Sequence, residues 1–258
     1  MNDSTTSTSR TMRNHVVTPR HLVLWDIDHT LIRAGDFHTH LYRHAFEQTV
    51  GRPPLTLINM SGRTDRESIT ITLRRNGVDP TLECLEAFAA ALVDAIDAQH
   101  DLLMQMGQQT DGAEAALLAL AADPTLTQTV VTGNLKPLAI AKLSAFELAS
   151  HLDFDIGGYG WDSLHRGDLV RAARQRAADK HHTDYPPSAT IVIGDTPKDV
   201  QAAHTGGATI IAVATGKSSP EELREAGAER VLPDLTDLDN LRDTLHEIWH
   251  PTPASQNH

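Results

Sequence analysis

The chain has 258 residues, 40% of them hydrophobic, enough for one large domain or a core carrying a smaller insertion. Its 22 basic and 34 acidic residues give a net charge of −12, so the clustered Lys and Arg of a nucleic-acid partner surface are missing. The single cysteine, Cys84, excludes an intrachain disulfide and a multi-cysteine zinc site, and no apolar run reaches membrane-spanning length.

Residues 1–20 are polar and Ser/Thr-rich without the apolar block of a secretory signal, which reads as a disordered leader on a cytoplasmic protein. The segment Leu22-Val-Leu-Trp-Asp26-Ile-Asp28-His-Thr30 follows. Its apolar run is a buried strand, and on an extended strand residues two apart share a side, so Asp26 and Asp28 are expected to crowd one volume. Such a pair binds a cation or keeps one carboxyl protonated; the bland alternative is an acidic turn after a strand.

Three helical stretches come next. The first spans Phe37 to Val50 and stops at Gly51-Arg-Pro-Pro54, the second runs from about Thr64 to Arg75, and the third from Pro80 to about Met106. Cys84 lies in the last of these and reads as an inert, buried thiol. From Asp111 onward helices alternate with short apolar strands. Helix Gly112–Ala122 precedes strand Gln128–Thr132, and helix Lys136–Leu148 precedes an apolar segment at Phe154–Ile156. Helix Gly167–Ala178 precedes strand Thr190–Ile193, a short helix near Lys198–His204 precedes strand Thr209–Ala214, and Pro220–Ala226, Arg230–Leu232 and Leu238–Ile248 complete the pattern.

This alternation predicts an α/β fold with a doubly wound, Rossmann-like parallel sheet. The connection from the first strand to the next spans about a hundred residues, where a plain crossover needs about thirty. The surplus predicts a helical cap over 36–107 inserted into a core of 21–35 and 108–249, with a disordered tail over 250–258.

Ligands of such sheets bind at the carboxyl ends of the strands. One strand ends in Thr132-Gly133-Asn134, a hydroxyl, a flexible glycine and a capping asparagine ahead of a helix with Pro137 in its first turn. It is a natural anion seat, and equally an ordinary helix cap. Another ends in Gly194-Asp195-Thr-Pro-Lys-Asp199. Asp26, Asp195 and Asp199 at neighbouring strand ends look like an oxygen-ligand site for Mg2+. Between these segments, Arg166 opens a helix after a Gly-rich loop and is placed to reach over the sheet edge.

Asp-x-Asp-x-Thr, Thr-Gly-Asn, a basic residue before a helix and Gly-Asp-Thr-Pro-x-Asp, in this order, resemble the haloacid dehalogenase-like (HAD) superfamily. In detail they resemble its branch with a helical cap after the first motif, the phosphoglycolate phosphatase and β-phosphoglucomutase type, over Leu22 to Leu238. The resemblance implies that Asp26 is the nucleophile and a Mg2+ ligand. It implies that Asp28 is the general acid/base, protonated beside its charged neighbour, and offers the metal its backbone carbonyl. Thr132, with the amides of Gly133 and Asn134, would bind the phosphoryl group. Asp195 would ligate Mg2+, and Asp199 would be a ligand or support one.

Two departures stand out. His29 occupies the position where the family usually has glycine, and the basic third motif, usually lysine, is assigned to Arg166. The rival for that motif is Lys142, a mid-helix residue expected to face away from the strand ends. In the cap, Ser61-Gly-Arg63-Thr64-Asp65 is the segment expected to touch substrate, through Arg63 and Thr64; a helix start capped by Ser61 or Thr64 is the alternative. His40 and His44, one turn apart, lack an evident third ligand for zinc.

The predicted function is a Mg2+-dependent phosphatase that hydrolyses a small phosphomonoester metabolite through an aspartyl-phosphate. A sugar phosphomutase using the same intermediate is the alternative. The absence of lysine from 36–107 argues against carbon–phosphorus cleavage through a Schiff base, and Asp28 argues against dehalogenation. The full set of carboxylates argues against a non-catalytic binding protein that keeps the fold. The sequence carries no signal of oligomeric state.

Overall fold

The computed structural model describes residues 20–251. The leader expected over 1–20 and the tail over 250–258 fall outside the described residues, apart from Arg20, His250 and Pro251. Strand β1 (His21–Trp25) sends Val23 and Trp25 into one apolar cluster and Leu22 and Leu24 into another, as the two-residue period of a strand requires. A short strand, β2 (Ile32–Arg33), follows. Then come four helices without an intervening strand: α1 (Phe37–Val50), α2 (Asp65–Arg75), α3 (Leu82–Ala98) and α4 (His100–Met106). Strand β3 (Gln108–Gln109) pairs antiparallel with β2, so the chain leaves and rejoins the sheet domain through one two-stranded neck.

The helix expected from Pro80 to Met106 is two helices, because Gln99 leaves the helical region at φ −111° and ψ 23°. Inside the helical unit the Tyr42 and Phe88 rings lie 5.6 Å apart, and Phe46 meets Phe88 edge-on at 6.3 Å. Thr64 and Thr81 cap α2 and α3, accepting from the amides of Glu67 and Cys84.

The remaining elements alternate. They are α5 (Ala113–Ala121), β4 (Leu126–Val130), α6 (Lys136–Ala145), α7 (Arg166–His181), β5 (Thr190–Gly194), α8 (Pro197–Gly206), β6 (Thr209–Val213), α9 (Pro220–Glu225), β7 (Arg230–Leu232) and α10 (Leu238–Trp249). Five parallel strands in the order β4-β1-β5-β6-β7 make a doubly wound α/β sheet. Helices α5 and α10 cover one face, and α7, α8 and α9 the other.

Winding reverses beside β1, which pairs with β4 on one side and β5 on the other. The crevice at such a reversal is where open sheets bind ligands. The strand expected at Gln128–Thr132 is β4 and ends at Val130. Phe154–Ile156 forms no strand; the adjoining Gly157-Gly158 pair, with no side chains to pack, manages only an isolated bridge from Gly158 to Val131. Among the described residues no helix is long and apolar enough to cross a membrane.

Candidate active site

The β1 ladder continues for one residue, with the Asp26 amide donating to the Ile193 carbonyl at 2.8 Å, so Asp26 is buried at the strand end. Asp28 is no longer on the strand. The chain turns, and the Ile27 carbonyl accepts from the amides of Leu31 (2.9 Å) and Ile32 (3.0 Å). The shared volume expected for the two carboxylates is therefore divided, and each has its own cation. His29 sits in that turn at φ +69°, a left-handed conformation costing roughly 1–2 kcal/mol for a residue other than glycine. Its carbonyl accepts from Thr215 Oγ1 at 2.7 Å.

Asp28 belongs to a network closed by α6. Lys142 Nζ donates to its Oδ1 at 2.9 Å and Oδ2 at 3.1 Å, to Asn134 Oδ1 at 2.8 Å, and contacts His38 Nε2. The expectation that Lys142 faces away from the strand ends is overturned: its side chain is fully buried at the site. Long helical side chains point back toward the helix N-terminus, and the N-terminus of α6 is the end that meets the crevice. Lys142 also shares the inward face of α6 with Leu138 and Ala139, a stripe legible in the sequence.

Asn134 does not cap α6, as expected of it. Leu135 is the N-cap residue, without a side-chain bond, and Asn134 Nδ2 instead donates to Asp28 Oδ2 (2.6 Å) and Thr132 Oγ1 (2.8 Å). Burial works to raise the Asp28 pKa, but the Lys142 ammonium, His38 and the hydrogen bonds of Asn134 and Lys142 hold it well below the usual carboxylate range. The protonated Asp28 expected from the sequence is thus not its resting form.

On the other side of the crevice, Asp26, Asp195 and Asp199 each bring a carboxylate oxygen within 4.8 Å of the others, and all three are buried. Asp28, expected to serve a metal through its carbonyl, does not bring its carboxylate into this group. Arg166, first residue of α7, donates to Asp26 Oδ1 at 3.0 Å and also bonds Asp199 Oδ1. The other Asp199 oxygen closes a capping box at the start of α8, accepting from Thr196 N (3.0 Å) and Thr196 Oγ1 (2.6 Å). Gly216 has to be glycine, since a Cβ there would fall on Asp195 Oδ2.

Burial, then Asp199, pushes Asp26 up to about 8 against the pull of Arg166, and burial with Asp199 and Asp26 pushes Asp195 to about 9. One guanidinium is shared by carboxylates that still repel each other. A hard divalent cation with oxygen ligands fits that donor set.

The helical unit closes over the crevice, leaving a cavity of about 190 Å3 between its residues Asn59, Ser61 and Arg63 and the core residues Asp26, Asp28 and Thr132. Arg63 lines it while paired to Glu67 and donating to the Asn59 carbonyl at 3.3 Å. Thr64, expected at the substrate, is buried and serves as the α2 cap, the alternative its sequence allowed. His40 and His44 are exposed on α1, and among the described residues neither belongs to a group of three side chains that could hold a metal. Three lining residues carried little sequence signal. They are His38 on the first turn of α1, Asp65 on the first turn of α2, and Lys217 after β6. A lone histidine or an acid at a helix start is usually solvated, and only the fold makes these converge.

A family model described as HAD-hydrolase-like matches residues 165–238, from the residue before Arg166 to the start of α10. No curated protein matches the chain. Among solved structures, a predicted phosphatase from Clostridium acetobutylicum superposes with a TM-score of 0.63 at 22% identity, covering 89% of this chain and 99% of that one. A protein assigned as a β-phosphoglucomutase from Bacteroides vulgatus gives 0.61 at 21%, covering 90% and 91%. A predicted phosphoglycolate phosphatase from Haemophilus somnus gives 0.61 at 14%, covering 88% and 99%. At these identities the likeness is one of fold, and it extends over nearly the whole described chain. The fold is thus shared with these structures nearly throughout, and the segment that carries Arg166, Asp195 and Asp199 is the one that matches the HAD-hydrolase-like family model.

Proposed function

We propose that the protein is a Mg2+-dependent phosphatase that hydrolyses a small phosphomonoester through an aspartyl-phosphate on Asp26. The observation that carries this reading is the division of the two first-loop carboxylates. Asp26 faces an acidic cluster bridged by Arg166, while Asp28 faces Lys142 and Asn134. One carboxylate is thereby suited to attack and the other to proton transfer.

Asp26, Asp195 and Asp199 would hold the metal, which when bound screens the approach of a carboxylate to an anionic phosphoryl group. Thr132 and the Gly133 and Asn134 amides would seat the phosphoryl oxygens, and Arg166 would balance the charge of Asp26 and the incoming group. Asp26 Oδ displaces the leaving alkoxide and forms the acyl-phosphate. Asp28, ionised at rest, takes up a proton from solvent as the substrate's negative charge offsets Lys142, and gives it to that alkoxide. In the second step Asp28 takes a proton from water, the hydroxide attacks phosphorus, and Asp26 is released. The helical unit of 36–107 would act as a cap that excludes bulk water and admits small leaving groups. A cytoplasmic enzyme acting on a small phosphorylated metabolite is the setting that fits a chain with one cysteine.

The test is a panel of phosphomonoesters assayed with Mg2+ and with EDTA. Hydrolysis abolished by EDTA and by Asp26→Asn supports the reading, and substantial turnover in Asp26→Asn overturns the nucleophile. Sugar bisphosphates among the products would move the assignment to a mutase, the activity assigned to the Bacteroides vulgatus neighbour.

A further inference from the structure

Asp65 is an acid in the first turn of α2, a position where a carboxylate usually serves its own helix. Here it does not. Thr64 caps α2, and both Asp65 oxygens turn elsewhere. Oδ1 accepts from the Tyr42 hydroxyl at 2.6 Å, and Oδ2 accepts from the Leu135 amide at 2.7 Å. Asp65 and Tyr42 are both buried.

The acceptor side leads into the phosphate turn. Leu135 follows Asn134, whose side chain bonds Asp28 and Thr132, and Leu135 begins α6 without any side-chain cap of its own. The main chain runs alongside. The Asp65 amide donates to the Gly133 carbonyl at 2.6 Å, Arg66 N to Gly160 O at 3.2 Å, and Gly160 N to Asn134 O at 2.8 Å. A Cβ on Gly133 would overlap the Arg63 carbonyl, and one on Gly160 would overlap the Gly133 carbonyl. The start of α2 and the turn Thr132–Asn134 are thus fitted to each other with no room between them.

We propose that Asp65 is a positioning residue: braced by Tyr42, it clamps the Leu135 amide and fixes the Thr132–Asn134 turn when the helical unit is seated on the core. The turn reaches its working geometry only in the closed arrangement, so closure and assembly of the phosphoryl seat are one event. The catalytic consequence rests on the phosphatase reading; the clamp itself does not.

Three variants test it. Asp65→Ala removes both bonds. Asp65→Asn can restore both, its carbonyl accepting from Leu135 and its amide donating to the Tyr42 oxygen. Tyr42→Phe removes only the brace. Each is measured for kcat, KM and hydrogen exchange over residues 132–137. Asp65→Ala is expected to lower kcat about tenfold to a hundredfold, the scale of a small misplacement at a catalytic centre, with KM changed far less. It should speed exchange at 132–137, Asp65→Asn should recover most of both losses, and Tyr42→Phe should fall between. The proposal is overturned by Asp65→Ala keeping at least half of kcat, by Asp65→Asn failing as badly as Asp65→Ala, or by unchanged exchange at 132–137. If the unaltered protein hydrolyses nothing on the panel, the phosphatase reading fails, and the exchange comparison alone decides the clamp.

Discussion

Lys142 Nζ lies 2.9 Å from Asp28 Oδ1 with no exposed side-chain surface of its own, while the Asp28 side chain keeps 28% of its surface exposed. The two partners are therefore unequal. An ammonium left buried without its counter-ion costs about 3–5 kcal/mol, whereas a carboxylate at the cavity wall can recover solvation. Asp28→Ala should accordingly destabilise the fold by several kcal/mol, and Lys142→Met by clearly less, although both should abolish efficient turnover. Urea denaturation of the two variants checks this, and equal losses, or a larger one for Lys142→Met, would contradict the asymmetry.

Arg166 joins Asp26 to Asp199 and is the one cation bonded to that acidic group among the described residues. A planar guanidinium can serve two carboxylates at once, which a compact ammonium does poorly. Arg166→Ala should lower kcat about a hundredfold or more, and Arg166→Lys should recover only part of it. Steady-state kinetics at saturating Mg2+ give the answer, with Tm measured alongside to show that the variants remain folded. Full activity in Arg166→Lys would mean that charge alone matters there.

The sheet, the helical insertion and the acidic strand ends were legible because each rests on local pattern: apolar runs, long helical stretches, and carboxylates directly after strands. The placement of Lys142 rests on a different signal. Its reach depends on the backward tilt of helical side chains, and its inward face depends on Leu138 and Ala139 being core. Asp65 and His38 are out of reach altogether, since their places at the crevice come from the helical unit closing on the core, a long-range fact no spacing encodes. The same closure explains why Thr64 reads as a substrate contact in sequence and is a helix cap in space.

The acidic group also sets a pH dependence. Asp26 at about 8 and Asp195 at about 9 are raised far above unfolded carboxylates, so between the ordinary carboxylate range and these values the metal-free folded state holds protons that the unfolded state has lost. Stability of the metal-free protein should therefore fall as pH rises from about 4 toward 8 to 9. Cation binding displaces those protons, so the Tm gain on adding Mg2+ should grow over the same interval. Thermal melts at pH 6 and pH 8.5, each with EDTA or with Mg2+, measure both slopes. A Mg2+ increment that is flat or shrinks with pH would argue against metal binding at these carboxylates.

Two glycine substitutions separate close fit from backbone conformation. Gly77 has φ +74° and nothing near its missing Cβ, so Gly77→Ala carries only the left-handed penalty, about 1–2 kcal/mol. Gly133 faces the Arg63 carbonyl across the joint between α2 and the Thr132–Asn134 turn, and main chain on both sides cannot rotate away. Gly133→Ala must push the helical unit off the turn, breaking the bond from Asp65 N to Gly133 O. Its loss should therefore fall on turnover: kcat should drop sharply while the sheet domain still melts cooperatively. Gly77→Ala should show the reverse, a lower Tm with kcat nearly intact. A Gly133→Ala enzyme with unaltered kcat would show that the turn tolerates separation from α2, and that closure of the joint is not required for catalysis.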